Sequence, residues 1–252
     1  MDLTTTILTS FATSVATNGA KAPLQSLDNL WYMTFGHKVE YLAEIKRAKN
    51  EVNVSQYKES ISKKIDAIPE ENLQEPPMSI VGPALEASKY YIEEEELREM
   101  FANVIASSMD NRKSDNVHHS FVEIIKQLSP RDARNIEFLK DIRYFPIVNY
   151  TLNEKDSSGV RMIKELVFTT DLEKGNIEEA DSASISNLAR LGLISISFIQ
   201  TIAKEEAYTI FELNTYANNL RRDFEIQNKS VDIERGSLAK TPLGSLFVNT
   251  CL

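Results

Sequence analysis

The chain reads as mainly α with a smaller α/β part, comprising a long N-terminal helix, a helical platform and a C-terminal winged-helix-like module. Three observations predict this. Apolar residues recur at three- and four-residue spacing from Leu24 to Ile68, and again in shorter runs as far as Ile142. From Phe145 the apolar period shortens towards two, the mark of half-buried strands. Four of the chain's eight prolines, Pro69, Pro76, Pro77 and Pro83, are bunched where the long helical pattern stops.

Residues 1–23 are rich in Thr, Ser and Ala with weak apolar spacing, so a mobile N-terminus is expected. Leu27, Trp31, Phe35, Val39, Leu42 and Ile45 then form a stripe that Val54, Tyr57, Ile61, Ile65 and Ile68 continue, with Gly36 and the stretch Asn50 to Asn53 as weak points. One helix or two nearly collinear helices are predicted, on the order of 60 Å long if unbroken. The stripe needs a partner, either the protein's own body or a second copy in a homo-oligomer. The pattern lacks sustained heptads with charge pairing at their flanks, which favours the first.

Residues 24–142 are expected to form the long helix plus the platform. Pro69 ends the long helix and Pro76-Pro77 enforces an extended connection. Pro83 suits the first turn of a short helix with Ala84 to Tyr91 as its body, Gly82 allowing the entry. The Glu93 to Glu96 run opens a second helix that continues to Met109, its carboxylates placed at the positive end of the helix dipole. After a polar loop from Asp110 to Val117, Phe121, Ile124, Ile125 and Leu128 predict another helix. Ser129 and Pro130 then read as N-cap and first residue of a helix buried through Ala133, Ile136, Leu139 and Ile142.

Residues 143–252 are expected to form the α/β module. Ile147, Asn149, Thr151 and then Met162 to Thr170 predict two strands about an Asn153 to Gly159 turn. A helix through Ser184 to Leu191, stopped by Gly192 and followed by a strand, precedes a predicted hairpin turning at Glu234-Arg235-Gly236 and a capped helix at Thr241-Pro242-Leu243-Gly244. That order is similar to a winged-helix domain, with the first helix as recognition helix. The intervening residues 198–230 exceed what such a domain needs. Within them Ala207 to Leu213 reads as a strand and Tyr216 to Asp223 as a helix.

Composition narrows the function. The 252 residues carry a formal charge of −9, and the excess is local: residues 69–110 hold ten acids against Lys89 and Arg98. Such a surface gives no long-range attraction for phosphate backbones. Cys251 is the single cysteine, so no intramolecular disulfide or cysteine-based zinc site can form, and a cytoplasmic location is expected. No apolar run reaches the length of a transmembrane helix. Of the three histidines, His37 falls on the long helix, and the adjacent His118-His119 pair suits a loop or helix-capping role better than metal ligation. Eight glycines without a phosphate-cradling loop, no nucleophile elbow and no paired-carboxylate signature give no enzyme, cofactor or metal expectation.

The central block carries a resemblance. Ile68-Pro69-Glu70-Glu71-Asn72-Leu73, Glu75-Pro76-Pro77, Ile80-Val81-Gly82-Pro83-Ala84-Leu85-Glu86-Ala87 with Tyr90-Tyr91, Glu95-Glu96-Leu97-Arg98-Glu99-Met100-Phe101 and Ser120-Phe121-Val122-Glu123-Ile124-Ile125 together resemble the Abi-alpha family of bacterial proteins, linked to abortive infection of phages. His119 departs from the pattern, standing where a proline is expected. The resemblance implies a role in phage defence and brings no catalytic residues to transfer.

These readings converge on a non-enzymatic interaction protein that presents an acidic helical surface to a host, phage or defence-system protein. Glu70, Glu71, Glu75, Glu86, Tyr90 and Glu95 are the candidate partner-contacting residues. A transcriptional regulator contacting DNA through Arg190, Arg235 and Lys240 is the alternative; residues 183–252 balance seven basic against seven acidic side chains, which disfavours it. A membrane-perturbing effector acting through the N-terminal region is the third reading.

Overall fold

In the computed structural model the description covers residues 21–35, 44–154, 160–171, 176–225 and 229–252. The expectations for residues 1–20, for Gly36, His37, Val39 and Leu42, and for most of the Asn153 to Gly159 turn concern positions outside that set. Clustering of the backbone divides the chain into two units, Met1–Pro130 with Leu246–Leu252, and Arg131–Ser245.

The first unit begins with helices α1 (Lys21–Phe35) and α2 (Glu44–Asp66). Leu27, Leu30 and Trp31 of α1 and Tyr57, Ile61 and Ile65 of α2 are buried, while Val54 and Ile68 of the predicted stripe are half-buried. The single long helix is not what forms. A continuous helix would separate Trp31 from Tyr57 by roughly 39 Å, whereas their ring centroids lie 5.7 Å apart. The two helices meet at Trp31 and Tyr57, both buried, which shed water against each other and the rest of the unit. Asn50 to Asn53 is no break; α2 runs through it.

After the 3₁₀ turn Glu70–Asn72, helix α3 spans Met78–Ser88 with Pro77 at its N-cap. Pro83 is thus the sixth helical residue, not the first, which corrects the predicted entry at Gly82. Proline in a helix interior removes one hydrogen bond and crowds the carbonyl four residues back. The glycine at position 82 eases this, because a side chain before proline disfavours helical backbone. What holds the helix together is burial of Ile80, Val81, Ala84, Leu85, Ala87 and Ser88 against α4 (Glu95–Ser108). Helix α4 is the unit's centre, with Leu97, Met100, Phe101, Val104 and Ile105 inaccessible or nearly so. Helix α5 (Ser120–Ile125) adds Phe121, whose ring meets Phe247 edge-on at 5.4 Å.

The second unit opens with α6 (Pro130–Phe138), whose first residue is Pro130 as expected. It continues through β1 (Tyr144–Glu154), β2 (Val160–Val167), α7 (Glu179–Arg190), β3 (Ile194–Ser197), α8 (Thr209–Glu212), α9 (Thr215–Glu225) and β4 (Lys229–Lys240). The strands form one antiparallel sheet in the order β2-β1-β4-β3. Strands β1 and β4 pair from Tyr144↔Ala239 to Glu154↔Lys229. The last helix, α10 (Pro242–Cys251), starts here and ends in residues assigned to the first unit.

This sheet corrects the fold-class expectation: helix outweighs strand as expected, but the protein is a mixed α/β structure with a four-stranded curled antiparallel sheet where a winged-helix-like module was expected. Glu234-Arg235-Gly236, taken for a hairpin turn, lies inside β4, which continues without a turn for twelve residues. A local turn signal lost to pairing on both edges, since β4 bonds to β1 and β3 at once. Residues 207–213, expected as a strand, fall mostly in a 3₁₀ turn (Glu205–Tyr208) and α8 (Thr209–Glu212), which bury Tyr208 and Phe211. Helix α9 packs on β4.

Two polar devices fix this unit. Between α6 and α7, Asp181 accepts from Arg131 (2.8 Å) and Asn135 (3.3 Å), Asn135 also donates to Ser184 (3.0 Å), and Asn187 donates to Asp132 (3.0 Å). Under α8, the Tyr150 hydroxyl donates to the Phe211 carbonyl at 2.6 Å, and burial pushes its pKa up to about 12.

Candidate functional site

Helix α3 divides cleanly. At 100° per residue its buried side chains fill one side, while Met78, Ser79, Gly82, Pro83, Glu86, Lys89 and Tyr90 occupy an opposite arc of roughly 140°. Tyr90 follows the helix in a continuing turn whose N–H donates to the Ala87 carbonyl at 3.0 Å. Within that arc Met78 is 61 % exposed and Tyr90 75 %, two large apolar side chains turned to solvent from the best-packed region of the unit. Pro83 lies between them and brings no N–H for the Ser79 carbonyl. Lys89 forms a short ion pair with Glu86, and Ser79 sits 3.2 Å from the ring of His119.

Of the six residues expected to contact a partner, Glu86 and Tyr90 share this face. The other four are exposed on other elements. Glu70 and Glu71 form the 3₁₀ turn, Glu75 accepts from Ser26 at 2.6 Å, and Glu95 opens α4. Met78, Ser79 and Pro83 were missed because the helix was expected to begin at Gly82. With the start at Pro77, the same sequence puts them on the open side.

The segment is anchored from behind. Leu73 bridges to Asp110, Gln74 N–H donates to the Met109 carbonyl (2.9 Å), and Asn111 N–H to the Asn72 carbonyl (2.9 Å). Asp110, buried, receives both Nε (2.8 Å) and an amino nitrogen (2.7 Å) of Arg112, and these bonds hold its carboxyl below the usual range. Tyr91 turns inward, its ring 5.8 Å from Phe101 and its hydroxyl on the Lys126 carbonyl at 2.6 Å. Neighbouring tyrosines thus divide the labour, Tyr91 holding the turn and Tyr90 facing solvent.

The cations proposed for DNA are engaged elsewhere. Arg235 pairs with Glu212 at 2.6 Å and lies 5.2 Å over the Tyr208 ring; the Glu212 bonds raise its pKa further. Lys240 donates to the carbonyls of Leu139, Lys140 and Ile142 at 2.6, 2.8 and 2.6 Å, closing the chain after α6. Arg190 bonds Asn187 on its own helix. His118 accepts from the Ser120 N–H at 3.1 Å, a helix-start role.

A pocket of about 450 Å³ in the second unit is lined by Tyr144, Gln200, Thr201, Ile202, Ala203 and Ser237. Among the described residues no group of three or more His, Cys, Asp or Glu is placed to hold a metal ion, and no helix is long and apolar enough to cross a membrane.

Fold and surface therefore define an α/β protein whose most distinctive segment is pinned from behind and open in front. The chain belongs to the abortive infection alpha family, whose model matches residues 49–251, and a role in abortive infection comes with that membership. No curated protein and no solved structure matches it.

Proposed function

We propose that this protein serves abortive infection as a non-enzymatic interaction protein whose working surface is the open face of α3. The observation that carries this reading is the pair Met78 and Tyr90, exposed on a helix whose other side is fully packed. Exposed aromatic and methionine side chains on a rigid support are what protein interfaces use as anchors. That support is α3 packed against α4, with the Leu73–Asp110 bridge behind it.

Expression of the full chain in a bacterial host challenged with phage tests this reading, comparing the native sequence with the Met78→Ser/Tyr90→Ser double variant. Both positions are exposed, so thermal stability changes by no more than about 0.5 kcal/mol each. Protection lost at unchanged stability supports the reading; protection retained by the double variant overturns it.

A further inference from the structure

The sheet of the second unit is covered over only part of one face. Side chains alternate between faces along a strand, and β1 and β4 pair without a slip from Tyr144↔Ala239 through Pro146↔Ser237 to Tyr150↔Ile233, so Tyr144, Tyr150 and Ser237 share a face. At Tyr150 that face is closed over: the residue is fully buried, its ring 5.5 Å from Tyr216 of α9. At Tyr144 the cover is missing, and this tyrosine is 53 % exposed. Here the chain that follows β3 stands as a wall beside the sheet. Wall and sheet enclose the pocket of about 450 Å³, a size within the range of about 300–1,000 Å³ found for small-molecule sites.

Some polar groups around the pocket are spent on building the wall. Ser197 Oγ accepts from the N–H groups of Ile199 (3.2 Å) and Gln200 (2.9 Å), and Ser237 Oγ donates to the Gln200 carbonyl (2.7 Å). The Ile202 N–H donates to the Tyr208 hydroxyl (2.8 Å), which donates to the Gly236 carbonyl (2.9 Å). Other polar groups are unspent. Among the described residues the Gln200 amide, the Thr201 hydroxyl and the Tyr144 hydroxyl have no hydrogen-bond partner, although all three residues line the pocket. No lining residue is Asp, Glu, Lys, Arg or His, so an ionised group inside would go unpaired.

We propose that this pocket binds an uncharged heteroaromatic molecule of nucleoside size, its flat ring stacked on Tyr144 and a donor–acceptor pair on its edge bonded to the Gln200 amide. Aromatic side chains hold flat rings by offset stacking. The Arg143 guanidinium lies over the Tyr144 ring at 5.4 Å, and the ligand takes the ring's other face. A primary amide sets an acceptor beside donors, the arrangement that reads the edge of adenine bidentately. Ile202 and Ala203 supply apolar wall, and Thr201 a single further polar contact. A sugar, with hydroxyls all round, would leave several of them against Ile202 and Ala203. This site belongs to the second unit and does not depend on the reading of α3.

The test is titration of the full-length protein with adenosine, guanosine, cytidine and uridine, and with glucose as the sugar probe, read by calorimetry and saturation-transfer NMR. At least one nucleoside should bind with Kd below ~1 mM. Affinity should fall ~tenfold or more in Tyr144→Leu and in Gln200→Ala, and stay within ~threefold of the native value in Tyr144→Phe, which keeps the ring. Both positions are exposed, so the substitutions leave the fold intact. No nucleoside binding at ~2 mM, binding indifferent to Tyr144→Leu and Gln200→Ala, or glucose binding as tightly as any nucleoside would each overturn the proposal.

Discussion

Replacing Pro83 by alanine gives opposite signs for the two ways of placing α3. If Pro83 stood at the first helical position, as Gly82-Pro83 suggests in the sequence, its missing N–H would cost nothing and its fixed backbone angle would help, so alanine would be neutral or mildly destabilising. The structure puts it sixth, with no N–H for the Ser79 carbonyl and its ring against that turn. Interior proline costs about 3 kcal/mol relative to alanine, and loss of the proline's restriction on the unfolded chain returns about 0.4–1 kcal/mol of that. Pro83→Ala should therefore stabilise the protein by about 2 kcal/mol, raising the thermal midpoint by roughly 4–8 °C for a chain of this size. Melting followed by circular dichroism, with urea titration to check that the denaturant slope is unchanged, measures it. A midpoint that falls would refute both the register of α3 and the division of its faces.

Other consequences are equally specific. At Gly244 an added Cβ would stand 1.8 Å from the Leu193 carbonyl oxygen, so Gly244→Ala must push α10 away and break the Thr241 bonds to the Gly192 and Leu193 carbonyls. A loss of about 3 kcal/mol or more in urea unfolding is expected, against about 0.5 kcal/mol or less for the exposed Asn249→Ala on the same helix. Asp110→Asn should cost about 1–2 kcal/mol at neutral pH. Because Arg112 depresses the folded carboxyl, that stabilisation is present above the unfolded value near 3.9 and disappears as pH falls below it, so the two proteins should converge in stability towards pH 3. Tyr57 and Tyr150 act at the other end of the scale. Burial raises both hydroxyls, so the unfolded chain ionises them first and stability falls as pH rises above about 10. Urea midpoints between pH 8 and 11.5 should flatten in the Tyr57→Phe/Tyr150→Phe variant.

What the sequence could say depended on whether a signal was local. The helix start at Pro130, the glutamates at the start of α4 and the helix ending at Gly192 were legible because start and stop signals and dipole-placed acids act within a turn of their own position. Gly192 takes φ +73°, the conformation that marks such an end. The single long helix, the hairpin at Glu234-Arg235-Gly236 and the strand at 207–213 failed for one shared reason. Each was decided by a distant partner: Tyr57 for Trp31, β1 and β3 for β4, and Tyr150 with Gly236 for Phe211 and Tyr208. The candidate surface was half legible. Glu86 and Tyr90 were found as exposed members of a distinctive block, whereas Met78 and Pro83 need the helix start at Pro77, which the proline pair hides behind an expected extended segment. The α6–α7 polar seam left no trace, since Asp132, Asn135, Asp181 and Ser184 are ordinary surface residues until the two helices meet.

The central claim, that the open face of α3 meets a protein partner during infection, is most directly tested by placing a photo-crosslinking amino acid at position 90 in the full chain and irradiating infected cells. The matching control is position 213, where Leu213 is 67 % exposed in the second unit. The account predicts a discrete protein adduct at position 90 that is absent at position 213 and lost when Met78→Ser is added. Protection against phage without any adduct at position 90, or equal labelling at both positions, would contradict it.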